Sequence, residues 1–446
     1  MFHKIVVANR GAVAARVLRA LGNLNIRSVA VYSEADADAP YLANADEAYC
    51  IGPAPARESY LNQDKLLQVV RDSHADGLHP GYGFLSENAE FARKVNALGA
   101  CFVGPSAQWI DAMGHKTRAR DLAAQHGLPV GRGSPVLSDD QYEMMRHAQH
   151  IGFPLLVKPA GGGGGIGMLV ANDASELPSA VERARSMAQR GFANPEVYLE
   201  KYLARPRHIE FQLLGDRHGN VRHLFDRDCS MQRRHQKVVE EASAPLVDRT
   251  RVDELAQQIA NTFAKMGYDN IGTVEMLMGA DGTFSFLEMN TRLQVEHGVT
   301  EAITGVDLVA AQIRSAAGLR LDDILPPTLH ADGHAIEARV YAEDSKRFLP
   351  SPGRLTTFRP PEGSGIRVET GYAEGRAVTM HYDPLLAKVI AHGPSRAAAI
   401  QTLREALRNF SVAGVKTNLA ALDIILGSSQ FRDGEVHTGL LSQLIA

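Results

Sequence analysis

The chain has 446 residues, 45% of them hydrophobic and 22% charged, with a formal net charge of −4. At roughly 150 residues per domain this allows about three domains with a large buried core, and the slight negative balance argues against a nucleic-acid partner held mainly by electrostatics. No apolar run approaches the length of a membrane span, and the scattered Cys50, Cys101 and Cys229 lack metal-ligand spacing and suit a reducing compartment better than a disulfide framework. With no signal-peptide pattern ahead of the first strand, a cytoplasmic protein is expected, or a matrix protein that has lost a transit peptide.

Lys4 to Ala8, followed by Asn9-Arg10-Gly11 and the periodic Val13, Val17, Leu18 and Leu21, read as strand, tight turn and helix. Strand and helix signals repeat through Val29–Tyr32, Gly77–His79 and Ala100–Val103, which predicts a parallel α/β unit over roughly 1–113. Its first turn carries one glycine, so it half-resembles a dinucleotide fold without the fingerprint. A second α/β segment is predicted over roughly 130–203. The remainder, 204–446, mixes strands and helices, with Pro326-Pro327 and Pro350-Ser351-Pro352-Gly353 marking loops.

Within the second segment, five consecutive glycines, 161–165, lie between Pro154–Lys158 and Met168–Ala171. The string satisfies G-x-G-x-x-G by letter, but strands are expected on both sides, so the loop reads as a hairpin tip rather than a strand-to-helix turn. No Gly-Lys-Ser/Thr ends it, which excludes a Walker loop. Side-chain-free N–H groups such as those of Gly163, Gly164 and Gly165 can approach phosphates closely, and a lid over a nucleotide fits. Lys116 and Lys158 are candidate phosphate clamps, and Tyr198–Leu203 reads as a strand running into a hinge.

The densest chemistry lies further on, in Glu288-Met289-Asn290-Thr291-Arg292-Leu293-Gln294-Val295-Glu296-His297, downstream of Glu275. Residues 272–278 and 283–290 alternate apolar and polar around Asp281-Gly282, a predicted β-hairpin. Glu275 and Glu288 then face each other, about 5 Å apart at Cβ with a two-residue turn, or diagonally with a bulged one. Asn290 shares the face of Glu288, so oxygen ligands for a hard cation such as Mg²⁺ converge there. The bland alternative is a pair of solvated acids. Cys229 is expected to pack beside this strand rather than to react. Arg227, Arg233, Arg234 and Lys237, without interleaved aromatics, are expected in ion pairs rather than on RNA.

Together with Ala8–Gly11, His79–Asn88, Arg227–Lys237, Tyr341-Ala342-Glu343-Asp344 and Phe348–Gly353, these motifs resemble, over nearly the whole chain, the biotin carboxylase family of ATP-grasp enzymes. The resemblance implies an α/β chain: a Rossmann-like N-terminal domain (1–113), an ATP-grasp domain (114–330) with a lid at about 130–203, and an α+β C-terminal domain (331–446). It implies nucleotide contacts by Lys116, Lys158, the glycine loop, Glu200, Lys201, Leu203, His208, Gln232 and His235. Mg²⁺ or Mn²⁺ would sit on Glu275, Glu288 and Asn290. Bicarbonate would lie by Lys237, Arg292, Gln294, Val295 and Glu296, and biotin near Gly83 and Arg339.

The implied reaction carboxylates biotin with ATP and bicarbonate. Glu296, placed beside Arg292 by a short strand-like segment, deprotonates bicarbonate, which attacks the γ-phosphate; the carboxyphosphate yields CO₂, and Arg339 stabilises the deprotonated biotin that captures it. No lysine flanked by methionines is present, so biotin would arrive on a carrier domain or subunit, with a carboxyltransferase subunit as further partner. Related stand-alone subunits imply a homodimer. The chain departs from the family at Ile166, where a basic residue is usual, at His115 in place of an acid and at Gly298 in place of a proline. Ile166 and Tyr341 also occur in relatives that carboxylate urea-like acceptors, which leaves the final acceptor open. Two other functions share part of the pattern: an ATP-grasp carboxylate–amine ligase, which needs no bicarbonate pocket, and a nucleotide-binding regulatory subunit with a crippled lid.

Overall fold

The structure, a computed structural model, describes residues 1–161 and 167–445; the expectations for Gly163, Gly164, Gly165 and Ile166 fall outside them. Strands β1 (Lys4–Val7), β2 (Arg27–Tyr32), β3 (Glu47–Cys50), β4 (Gly77–His79) and β5 (Cys101–Phe102) form a parallel sheet in the order β3-β2-β1-β4-β5. Alternate apolar residues feed its two faces, Ile5 and Val7 packing with the helix Gly11–Asn23, Val6 and Leu78 with the helices on the other side. Asn62 and Asn88 cap two of those helices by accepting from the Lys65 and Phe91 N–H groups. The strand order reverses between β1 and β4, where the loops after parallel strands open a crevice. The Asn9–Gly11 and His79–Gly83 motifs meet at that point, and Asn9 Nδ2 donates to the Pro80 and Tyr82 carbonyls at 2.7 and 2.8 Å.

The second segment is a small antiparallel sheet, β6 (Gly133–Val136), β7 (Leu155–Pro159), β8 (Leu169–Ala171) and β9 (Val197–Lys201), in the order β6-β9-β7-β8. The helices Gln141–Ile151 and Leu177–Phe192 cover it through Ile151, Leu155, Val157, Val181 and Leu199. Each such buried aliphatic side chain stabilises by roughly 1.5–3 kcal/mol. Val157 pairs with Leu169, so the glycines do connect two antiparallel strands.

The rest is built on one antiparallel sheet. Its strands are β10 (Arg207–Gly215), β11 (Val221–Arg233), β12 (Gln236–Ala242), β13 (Asn270–Met278), β14 (Phe284–Asn290) and β15 (His334–Tyr341), then, beyond the two-stranded ladders β16 (Gly353–Arg354) with β19 (Ala377–Val378) and β17 (Thr357–Arg359) with β21 (Ser411–Ala413), β18 (Ile366–Thr370) and β20 (Leu385–Gly393). Their order is β14-β13-β10-β11-β12-β15-β20-β18. This sheet runs unbroken across the boundary expected at 330/331, because β12 pairs with β15.

One face is apolar: Ile209, Phe211 and Leu213 of β10 and Val274 and Met276 of β13 pack under the helix Arg249–Met266. The other carries His208, Glu210 and Gln212, since strand side chains alternate. Glu275 and Glu288 are direct register partners, but the turn is the four-residue Gly279–Gly282 rather than Asp281-Gly282 alone, and Leu287 is an extra, bulged residue between the Glu275–Glu288 and Met276–Phe286 pairs. Gly282 takes φ +74°, which a side chain would resist. No helix among the described residues is long and apolar enough to cross a membrane.

Candidate active site

Antiparallel pairing sets Arg227, Glu210, Glu275 and Glu288 in one row across four strands. Three buried or half-buried acids side by side require cations, and these are present. Lys237 Nζ lies among Glu210, Glu275 at 3.0 Å and Glu296 at 2.7 Å. Burial opposes its charge, but these three carboxylates outweigh burial and hold its pKa well above the ordinary lysine value. Arg227, fully buried, bonds Glu210 at 3.1 Å, Gln212 at 2.8 Å and Thr300 at 2.9 Å. His208 Nε2 stands 3.1 Å from both Glu210 and Glu275. Burial disfavours the charged ring, yet Glu275 and Glu210 push its pKa up to about 10. The Gln232 amide lies 3.1 Å from the other ring nitrogen and donates to the Cys229 carbonyl at 2.9 Å.

Glu296 is wholly buried at the start of the helix His297–Thr304. Its two oxygens divide between Lys237 and Arg339 Nη2, the latter at 2.9 Å, and Arg339 also meets Glu240 at 2.5 Å. Burial raises the Glu296 pKa and Glu210 adds to that, but Lys237, Arg339 and Arg227 bring it below the usual carboxylate value. Two expectations need correction here. Residues 291–296 form an irregular turn rather than a strand-like segment, and Arg292 is not paired with Glu296. Its guanidinium bonds Glu87 at 2.7 Å, Gln294 at 2.9 Å and Asn290 at 2.9 Å, because the turn sends Arg292 toward the N-terminal unit while Glu296 continues to the sheet. Gln294 and Asn290 both reach back to Glu275, at 3.3 and 2.8 Å.

Of the expected nucleotide groups, His208 and Gln232 belong to this network and Lys116 meets its edge, whereas Lys158, Glu200, Lys201, Leu203 and His235 lie apart from it. Lys116 pairs with Glu288, whose charge outweighs burial and raises the lysine pKa. Lys158 bonds Glu200 at 2.7 Å, beneath the Tyr198 ring. Lys201 turns its ammonium to the Gly152 and Phe153 carbonyls, at 2.9 and 2.7 Å, so only its backbone remains for a ligand. Leu203 follows β9, half-buried. His235 sits at the exposed β11–β12 turn, its pKa lowered by partial burial and by Lys158. Gly83, at φ +67°, lies in the loop that Asn9 anchors; there the Gly81 N–H donates to His79 Nδ1 at 3.0 Å.

The oxygen donors of Glu275, Glu288 and Asn290 are chemically suited to Mg²⁺ and share one end of one hairpin. Among the described residues, the tight donor cluster that contains Glu275 is completed by His208 and Glu210. Glu210, Glu240 and Glu87 carry no role in the sequence reading, whereas Arg227, expected in an ion pair, makes one with Glu210. Glu210 alone left a signal, the alternation of His208, Glu210 and Gln212 with Ile209, Phe211 and Leu213. Cys229 lies within the same cluster as Glu210 and Glu296 but is fully buried, and burial together with Glu210 keeps its thiol well above the ordinary pKa, hence neutral.

Comparison with known proteins agrees along the whole chain. Residues 1–110 match the biotin carboxylase N-terminal domain, 115–324 the ATP-binding domain of the carbamoyl-phosphate synthase L chain, and 337–443 the biotin carboxylase C-terminal domain. The chain is 46% identical to biotin carboxylase 2 of Bacillus subtilis, over 99% of this chain and 100% of that one, and 45% identical to the biotin carboxylase of Halalkalibacterium halodurans, over 99% and 98%. The biotin carboxylase domain dimer of Hydrogenobacter thermophilus 2-oxoglutarate carboxylase, solved with MgADP, ADP and bicarbonate, superimposes with a TM-score of 0.96 at 41% identity, covering 100% of this chain and 99% of that one. The chain belongs to the biotin carboxylase family.

Proposed function

We propose that this chain carboxylates biotin on a carrier protein, using ATP and bicarbonate through carboxyphosphate. The observation that carries this reading is Glu296, a buried carboxylate gripped by Lys237 and Arg339 beside Gln294. Alone, such a carboxylate is a weak base. An incoming bicarbonate drawn to Lys237 and Arg292 brings its own negative charge against Glu296 and competes for Lys237, which raises the Glu296 pKa toward that of an effective proton acceptor. Arg339, released in turn from a protonated Glu296, is available to stabilise negative charge on the biotin ureido oxygen. Lys116 and Lys158 exchange Glu288 and Glu200 for phosphate oxygens. Glu275, Glu288 and Asn290 would hold Mg²⁺, which supplies charge neutralisation on the phosphates.

The partners that fit this reading are a biotin carrier domain or subunit, a carboxyltransferase subunit and a second copy of the chain, in the cytoplasm. The decisive measurement is ADP formation from ATP and Mg²⁺ with and without bicarbonate and free biotin. Bicarbonate-dependent turnover stimulated by biotin is expected; ATP cleavage indifferent to bicarbonate would instead favour a carboxylate–amine ligase.

A further inference from the structure

The carbonyls just before Glu296 are held from two sides. That of Gln294 faces His297 Nδ1 at 2.7 Å, and burial keeps the His297 ring neutral, so Nδ1 carries the proton. That of Val295 accepts from Lys388 Nζ at 2.5 Å. Lys388 has no part in the chemistry above, yet its side chain is only 1% exposed. It stands on β20 in register with Arg339 on β15 and Glu369 on β18, so the three form one row on the face that receives the helix His297–Thr304. Its ammonium meets Glu369 at 2.7 Å and Glu337 at 3.5 Å. The Val295 carbonyl accepts from this ammonium while the Glu369 and Glu337 carboxyls stand beside it, which offsets part of the several kcal/mol that an unpaired buried ammonium costs, on the order given for such ions.

The Val295 oxygen and the Glu296 nitrogen share a peptide plane, so fixing one fixes the direction in which Glu296 leaves the turn. Glu296 lies at φ −81°, ψ 8°, as the third residue of the turn that the His297 N–H closes on the Gln294 carbonyl at 3.4 Å. We propose that Lys388, braced by Glu369 and Glu337, is a positioning residue that presets the Val295–Glu296 peptide so that the Glu296 carboxylate spans Lys237 and Arg339. This rests on the carboxylase reading above. Displacing a reacting group by about 1 Å can cost on the order of a hundredfold in rate, so the effect belongs to bicarbonate and not to ATP.

The test is Lys388→Met/Glu337→Gln, which removes the ammonium together with the more distant of its two carboxyl partners, with Lys388→Gln as the second variant should the first not fold. Wild-type ADP formation that depends on bicarbonate is the control, and its absence overturns the carboxylase reading itself. The expected result is a loss of about tenfold or more in kcat/KM for bicarbonate while the KM for ATP stays within about twofold. A variant that folds and keeps wild-type kcat/KM for bicarbonate overturns the role of Lys388 alone. Parallel losses toward ATP and bicarbonate also overturn it, because they mark general damage rather than misplacement of Glu296.

Discussion

The small sheet of residues 133–201 and the eight-stranded sheet hold their charges in opposite ways. On the small sheet Lys158 has one carboxylate, Glu200, and Lys201 is committed to backbone carbonyls. On the large sheet Lys237 touches three carboxylates, Arg339 two and Glu369 several cations at once. A single pair can be exchanged for a phosphate at little cost, whereas a network holds each member in place through the others. Lys116 and Lys158, expected to grip and release phosphates, therefore sit in simple pairs, while Lys237, Glu296 and Arg339 sit in a preset lattice.

The largest effect should come from the lattice. Glu296→Gln is expected to lower bicarbonate-dependent turnover by about 10³-fold or more, in the range of losing a general base, with ATP affinity by titration nearly unchanged. A matching loss of ATP affinity would erase the distinction between the sheets. Lys158→Met should do the reverse, raising the KM for ATP by about tenfold or more while leaving the KM for bicarbonate nearly constant.

The third effect is on stability. The His208 pKa is raised from 6.5 to about 10 in the folded chain, so its stabilisation is fully present below pH 6.5 and disappears as pH rises through 10. Between those limits His208 contributes a slope of up to about 1.4 kcal/mol per pH unit. Urea unfolding at pH 7 and pH 9 should accordingly show a smaller drop for His208→Gln than for the wild type; equal drops would place the ring in its neutral form.

Short-range pattern made much of this legible. The β1 turn, the strands flanking the glycines and the Glu275–Glu288 pairing all follow from local periodicity. The bulge at Leu287 does not, because nothing in Ser285-Phe286-Leu287-Glu288 marks which residue is extra. Residues 292–296 show the opposite case: Arg292, Gln294 and Glu296 alternate as strand residues do, while the turn is imposed by the packing of the following helix on the sheet. Glu240 and Arg339 meet because β12 pairs with β15 across some ninety residues of sequence, and no local signal encodes a pairing of that range. At Gly298, where the family usually carries a proline, an added Cβ would meet Ile390 and the Arg367 guanidinium, both at 2.5 Å.

The unbroken eight-stranded sheet also limits how this chain can be divided. Cutting near residue 330 would strip β15 from β12 and leave a long open edge in each fragment, the kind of surface that recruits other chains into aggregates. It would also part Glu296 from Arg339, which lie on opposite sides of that cut. The two halves of this buried ion pair thus belong to one sheet, and an engineer wishing to shuffle modules among such enzymes has to move that sheet whole.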